Sequence, residues 1–165
     1  MIGMVLFSKK KLSINLEKNE YSPGETIKGI VELELEKPLK ADILEVALIG
    51  AVIKTETRHS QHHFDDQDYM FDDDEPFETA SPFFFSKKIL DSEKEYTNFK
   101  YEFELKIPEE VHKEEPKFDG ALVKLMKFSK KFGGRPPYIQ WYVKAQLDVP
   151  LKIDLRAVKN IVLNL

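Results

Sequence analysis

The chain of 165 residues contains no cysteine. That excludes disulfide staples, thiolate metal ligands and a thiol nucleophile, and it suits a reducing compartment, so a cytoplasmic setting is expected. No apolar run approaches the ~18 residues of a membrane helix. The opening, MIGMVLFSKKK, places apolar residues ahead of basic ones, the reverse of a secretory signal. There is no surplus of positive charge: 25 Lys and Arg stand against 29 Asp and Glu, a net −4. A general nucleic-acid binder needs a basic surplus, so that class is set aside. Catalytic signatures are absent too, with no GxSxG, P-loop, HExxH or GxGxxG. The expectation is a non-enzymatic protein with no required cofactor. Lys and Glu in abundance without Cys also fit a thermophilic source.

The length suits one domain over residues 1–165, able to bury roughly 70% of its unfolded surface. The stretch Tyr138 to Pro150, YIQWYVKAQLDVP, organises the rest. Ile139, Trp141, Val143, Ala145, Leu147 and Val149 alternate with Gln140, Tyr142, Lys144, Gln146 and Asp148. Period two means a strand with one dry and one wetter face. The single Trp lies on the dry face, so this strand is expected at the centre of the core. Pro150 cannot donate to a ladder and ends it.

Other strands follow the same logic. Leu12, Ile14 and Leu16 give a short first strand, a candidate sheet edge. EYSPGET, residues 20–26, holds Pro23-Gly24, the type II turn pair. Ile27, Gly29, Val31, Leu33 and Leu35 then share a face, and Gly29 marks a bulge or a close backbone approach. Residues 39–57 are apolar on both faces around ILEVALIGAVI, which suits an interior strand. Residues 59–82 lose periodicity and read as an acidic, His/Asp-rich loop or flap. Strand character returns at 82–90, followed by a polar DSEKEYTN turn. Phe99, Tyr101, Phe103, Leu105 and Ile107 give the cleanest alternation in the chain. Residues 119–133 switch period: Ala121, Leu125, Phe128 and Phe132 line one side and lysines the other, the pattern of one short amphipathic helix. After Pro150, one parity from Leu151 to Leu165 predicts a last long strand, with Lys159 the exception. Together these predict an all-β, immunoglobulin-like antiparallel β-sandwich.

Several of these strands resemble the opening of an arrestin-like N-terminal domain. The carrying residues are Tyr21, Pro23, Gly24, Glu25, Gly29, Lys40, Ala41 and Gly50, supported by YEFELKIPEEV at 101–111, PKFDGALV at 116–123 and WYVKAQLDVP at 141–150. The resemblance extends to the retromer subunit and sporulation-control proteins of the same fold. It implies a sandwich that binds or scaffolds proteins as an adaptor. Full arrestins carry two such lobes, and the expectation here is a single-lobe version, with a second lobe supplied by another chain as an open question. The family usually has a short link where residues 119–133 show helical periodicity.

Three features offer contact chemistry. In the flap, Phe64, Asp65, Asp66, Asp68, Tyr69, Phe71, Asp72, Asp73 and Asp74 combine carboxylates with aromatic anchors, suited to a basic protein partner. The bland reading is a solvated acidic run. His59, His62 and His63 beside those carboxylates make the alternative of a divalent-metal or ligand site, without EF-hand spacing. Lys124, Lys127, Lys130 and Lys131 face away from the helix's apolar side and suit an acidic partner or a peripheral contact with anionic lipid; the bland reading is a solvated face. The third is an exposed sheet edge, open to a partner's strand or to a second copy in a homodimer.

Overall fold

The computed structural model describes residues 9–56, 77–116 and 136–165. They form ten strands: β1 Lys10–Leu16, β2 Glu20–Tyr21, β3 Thr26–Leu35, β4 Leu39–Ala41, β5 Ile43–Glu56, β6 Phe77–Asp91, β7 Lys94–Tyr96, β8 Phe99–Lys106, β9 Tyr138–Asp148 and β10 Leu155–Leu163. A 3-10 turn spans Val111–Glu114. The strands assemble into a three-stranded sheet, β1-β3-β8, a five-stranded sheet, β2-β10-β9-β5-β6, and a two-stranded ribbon, β4-β7. Pairing is antiparallel apart from β2 against β10.

One core joins the layers. Leu12, Ile14, Val31 and Phe103 from the smaller sheet share a buried cluster with Val46, Leu48, Val143 and Leu147 from the larger. The Trp strand, β9, is the middle strand of five, and Trp141 is 4% exposed. Phe83 and Phe84 pack on its ring with centroids at 5.4 and 5.5 Å. Its indole Nε1 donates to Glu115 Oε1 at 3.1 Å. Strand β5 is apolar on both sides because both are used. Leu44, Val46 and Leu48 enter the main core, while Ala47, Ile49, Ala51 and Ile53 form a second buried cluster with Tyr142.

The glycines of β3 and β5 are demanded by neighbours. A Cβ on Gly29 would lie 2.7 Å from the Asn15 carbonyl oxygen and 2.8 Å from the Phe103 ring, so the close-approach reading holds there. A Cβ on Gly50 would lie 2.7 Å from Trp141 Cζ3 and 2.9 Å from Phe83 Cζ. Pro23-Gly24 forms the expected turn: Gly24 has φ 84°, and Glu25 N donates to Ser22 O at 3.1 Å. Glu25 then ties the turn together, accepting from Ser22 N at 2.5 Å and from Lys18 Nζ at 2.7 Å. The Lys18 hydrogen bond, with that of Ser22, holds the Glu25 carboxyl below its ordinary value.

Several expectations need correction. Strand β6 begins at Phe77, so residues 77–81 belong to a hairpin with β5 and not to a loop reaching residue 82. The polar DSEKEYTN stretch contains β7, held by pairing with β4. The last strand begins at Leu155; Leu151 and Ile153, expected on the core side, are exposed. There the chain turns, and Asp154 accepts from Val149 N and Gln146 Nε2, both at 3.0 Å. Those side chain–backbone bonds favour a turn over continued pairing. The helix expected over 119–133 lies outside the described residues.

Candidate protein-docking edges

The smaller sheet has two outer strands, β1 and β8. Strand β1, expected to be an edge, is one, but it runs alongside β10 of the other sheet. Strand β8 closes the opposite side, with β6 of the larger sheet across the gap. Its burial follows its sequence: Phe103 and Leu105 are buried, while Lys100, Glu102, Glu104 and Lys106 are exposed.

The same alternation sets its main-chain groups. Ile107, which continues β8, exchanges hydrogen bonds with the chain leading into β3: its N–H donates to Glu25 O at 2.8 Å, and its carbonyl accepts from Gly24 N at 3.0 Å. Lys28, opposite Glu104, instead turns its carbonyl toward β1, accepting from Glu17 N at 3.1 Å. In an antiparallel strand, successive residues point their N–H and C=O to opposite sides. Lys100, Glu102, Glu104 and Lys106 therefore direct theirs away from β3. Among the described residues no strand pairs with them. Lys88 Nζ, from β6, donates to Glu104 O at 3.4 Å. An open groove of about 650 Å³ crosses this end of the sheet, lined by Leu16, Lys28, Ile30, Lys88, Phe103 and Glu104.

The corner joining β6 to β8 is clamped. Lys94 is ion-paired with Asp91, and Tyr101 Oη donates to Asp91 Oδ2 at 3.2 Å. The Lys94 ammonium lies 5.1 and 5.6 Å from the ring centroids of Tyr96 and Tyr101. Its hydrogen bond holds the Asp91 carboxyl below the usual range, against the effect of burial. Burial pushes the Tyr96 hydroxyl up to about 12, and that hydroxyl donates to Ser92 O at 2.6 Å. A docking strand needs such a rigid frame beneath it.

The free side of β6 is less inviting. Pro82 has no N–H, the β5–β6 ladder shifts register at Leu44/Glu45 and Gly50/Ala51, and Lys87 and Lys88 are exposed. Proline, bulges and lysine are the usual guards of a sheet edge.

The sequence-derived candidates fall elsewhere. Phe64 to Asp74, His59, His62 and His63, and Lys124, Lys127, Lys130 and Lys131 all lie outside the described residues. The segment 57–76 leaves from Glu56 and returns at Phe77, which are register partners. No helix among the described residues is long and apolar enough to cross a membrane. The sequence does not single out the β8 edge, because alternation identifies a strand without saying whether both its sides are paired.

Comparison with known proteins agrees with this architecture. The chain matches the family described as arrestin (or S-antigen), N-terminal domain, over residues 11–163. No curated protein matches it. Among solved structures it is similar to Spo0M, a sporulation control protein from Bacillus subtilis, with a TM-score of 0.53 and 16% identity. That alignment covers 94% of this chain and 49% of the other, so the chain spans about half the length of that protein. At this identity the likeness concerns the fold alone. The residues behind the earlier resemblance have physical roles: Tyr21 and Ala41 are buried, Pro23 and Gly24 make the turn, and Gly29 and Gly50 admit close neighbours. With its sandwich in place and the family match spanning nearly all its residues, the chain belongs to the arrestin N-terminal domain family.

Proposed function

We propose that this domain is a non-enzymatic, protein-binding adaptor or scaffold of arrestin type, which recruits partners by presenting strand edges. The observation that carries the reading is the outer side of β8, which is unpaired among the described residues, on an eight-residue strand with exposed polar side chains at a clamped corner. Family membership supports it, since strand edges are a recurring route to peptide capture. The test is reconstitution. A partner captured from the native source is purified and titrated against the full chain, and a complex of fixed stoichiometry supports the reading. A chain that stays alone with every purified candidate at about 100 μM, well above ordinary adaptor affinities, refutes it. Deleting 59–76 in the same assay separates the edge from the acidic flap, because an edge-bound partner keeps its affinity.

A further inference from the structure

The adaptor reading leaves the partner's chemistry open, and the β8 edge narrows it. Resting on that reading, we infer that β8 accepts an extended segment of another protein whose residues alternate apolar with the polar series acid, base, base, acid, and that Lys88 guards the edge until the segment arrives.

The charge order comes from the outward face of β8. Lys100, Glu102, Glu104 and Lys106 stand in that sequence, all exposed. Opposite charges directly across a strand pair are favourable and like charges are not. An added strand therefore places acid opposite Lys100, base opposite Glu102 and Glu104, and acid opposite Lys106. The series is palindromic, so it holds for either strand direction. Between those positions the added side chains lie beside Tyr101, Phe103 and Leu105 on the core side and are apolar. Backbone bonding supplies affinity, and this side-chain pattern supplies selectivity.

A second copy of the chain does not match all four outward charges. No stretch of its sequence reads acid, any residue, base, any residue, base, any residue, acid. Pairing β8 with its own copy so that Lys100 meets Glu104 sets Glu102 against Glu102. Shifting the copies so that Lys100 meets Glu102, or Glu104 meets Lys106, joins one reciprocal pair of opposite charges and leaves the other two outward charges without a charge partner in β8. A different protein that answers all four is the occupant the charge order fits.

Lys88 gives the edge its resting state. Its ammonium donates to the outward carbonyl of Glu104, the group an incoming strand would use. Lys88 must withdraw before a strand pairs there, and its charge meets the same residue that a basic position of the partner would face.

The test uses the full chain and a synthetic, end-blocked peptide of valine alternating with Glu, Lys, Lys and Glu, followed by fluorescence anisotropy. Saturable binding is expected, weakened at least about fivefold when the series is inverted to Lys, Glu, Glu and Lys. It is abolished when the peptide's pairing amides are N-methylated, because the donors are gone. Glu102→Pro removes an outward N–H while sparing the β3 ladder, so it is expected to lose binding with a melting temperature within about 3 °C of the parent. Glu102→Gln separates charge from backbone and reduces affinity only a few-fold. Lys88→Ala frees the Glu104 carbonyl and tightens binding. No saturation up to about 1 mM, equal binding of the inverted peptide, or indifference to N-methylation overturns the inference. So does a homodimer in sedimentation equilibrium that Glu102→Pro disperses. If a reconstituted partner binds the Glu102→Pro chain unchanged, this inference falls while the adaptor reading stands.

Discussion

Replacing Gly50 with alanine tests the packing at the centre of the larger sheet. The new methyl would sit 2.7 Å from Trp141 Cζ3, 2.8 Å from Cη2 and 2.9 Å from Phe83 Cζ. All three separations are well inside van der Waals contact. The indole has little room to yield: it is a rigid ring, buried, flanked by Phe83 and Phe84 and tethered through Nε1 to Glu115. Overpacking of this kind costs about 1–3 kcal/mol. Losing a glycine from the unfolded chain gives back about 0.4–1 kcal/mol. The net expectation is a destabilisation of about 1–2 kcal/mol, or a melting temperature lower by about 2–8 °C for a chain this size. Urea unfolding followed by the single Trp reports both the midpoint and the ring's surroundings. Phenylalanine lacks Cζ3 and Cη2, so Gly50→Ala on a Trp141→Phe background is expected to cost less, with a coupling of about 1 kcal/mol in the double-mutant cycle. A Gly50→Ala chain as stable as the parent, or two costs that simply add, would refute the reasoning.

Gly29→Ala is expected to cost more than Gly50→Ala, because one clashing atom is the backbone carbonyl of Asn15, which cannot move without disturbing the β1–β3 ladder; equal urea midpoints would count against it. Asp91→Asn probes the clamp at the β6–β8 corner. The folded carboxyl titrates below its unfolded value near about 3.9, so its stabilisation is present above that pH and fades as pH falls through the folded value. The gap between parent and variant is therefore widest at neutral pH and narrows only as pH falls below the unfolded value; a gap independent of pH contradicts this. Tyr96 works in the opposite window. With its hydroxyl raised to about 12, its contribution is intact below about pH 10 and is lost as pH climbs from there toward the folded value. Tyr96→Phe should show a shallower alkaline loss in a pH series of thermal melts, and an unchanged alkaline limb would rule the explanation out.

Sequence alone determined whatever depends on near neighbours in the chain. The alternation at 138–149 established which side of β9 is dry, and Trp141 to Val149 are buried at every second residue. Pro23-Gly24 specified its turn because only glycine adopts φ 84° cheaply. Apolar residues on both faces of ILEVALIGAVI marked an interior strand, and β5 does lie between β9 and β6. Tertiary structure decided the rest. DSEKEYTN is polar enough for a turn, yet β7 forms within it because β4 lies alongside. Residues 77–81 have no apolar period, yet they pair with the far end of β5. Strands β8 and β9 alternate equally well, but one is the middle of a sheet and the other an edge. Side-chain periodicity is local, whereas the partner of each N–H and C=O comes from distant parts of the chain. The residues that make β8 a strand are therefore legible one after another, and the side it leaves unpaired among the described residues is not.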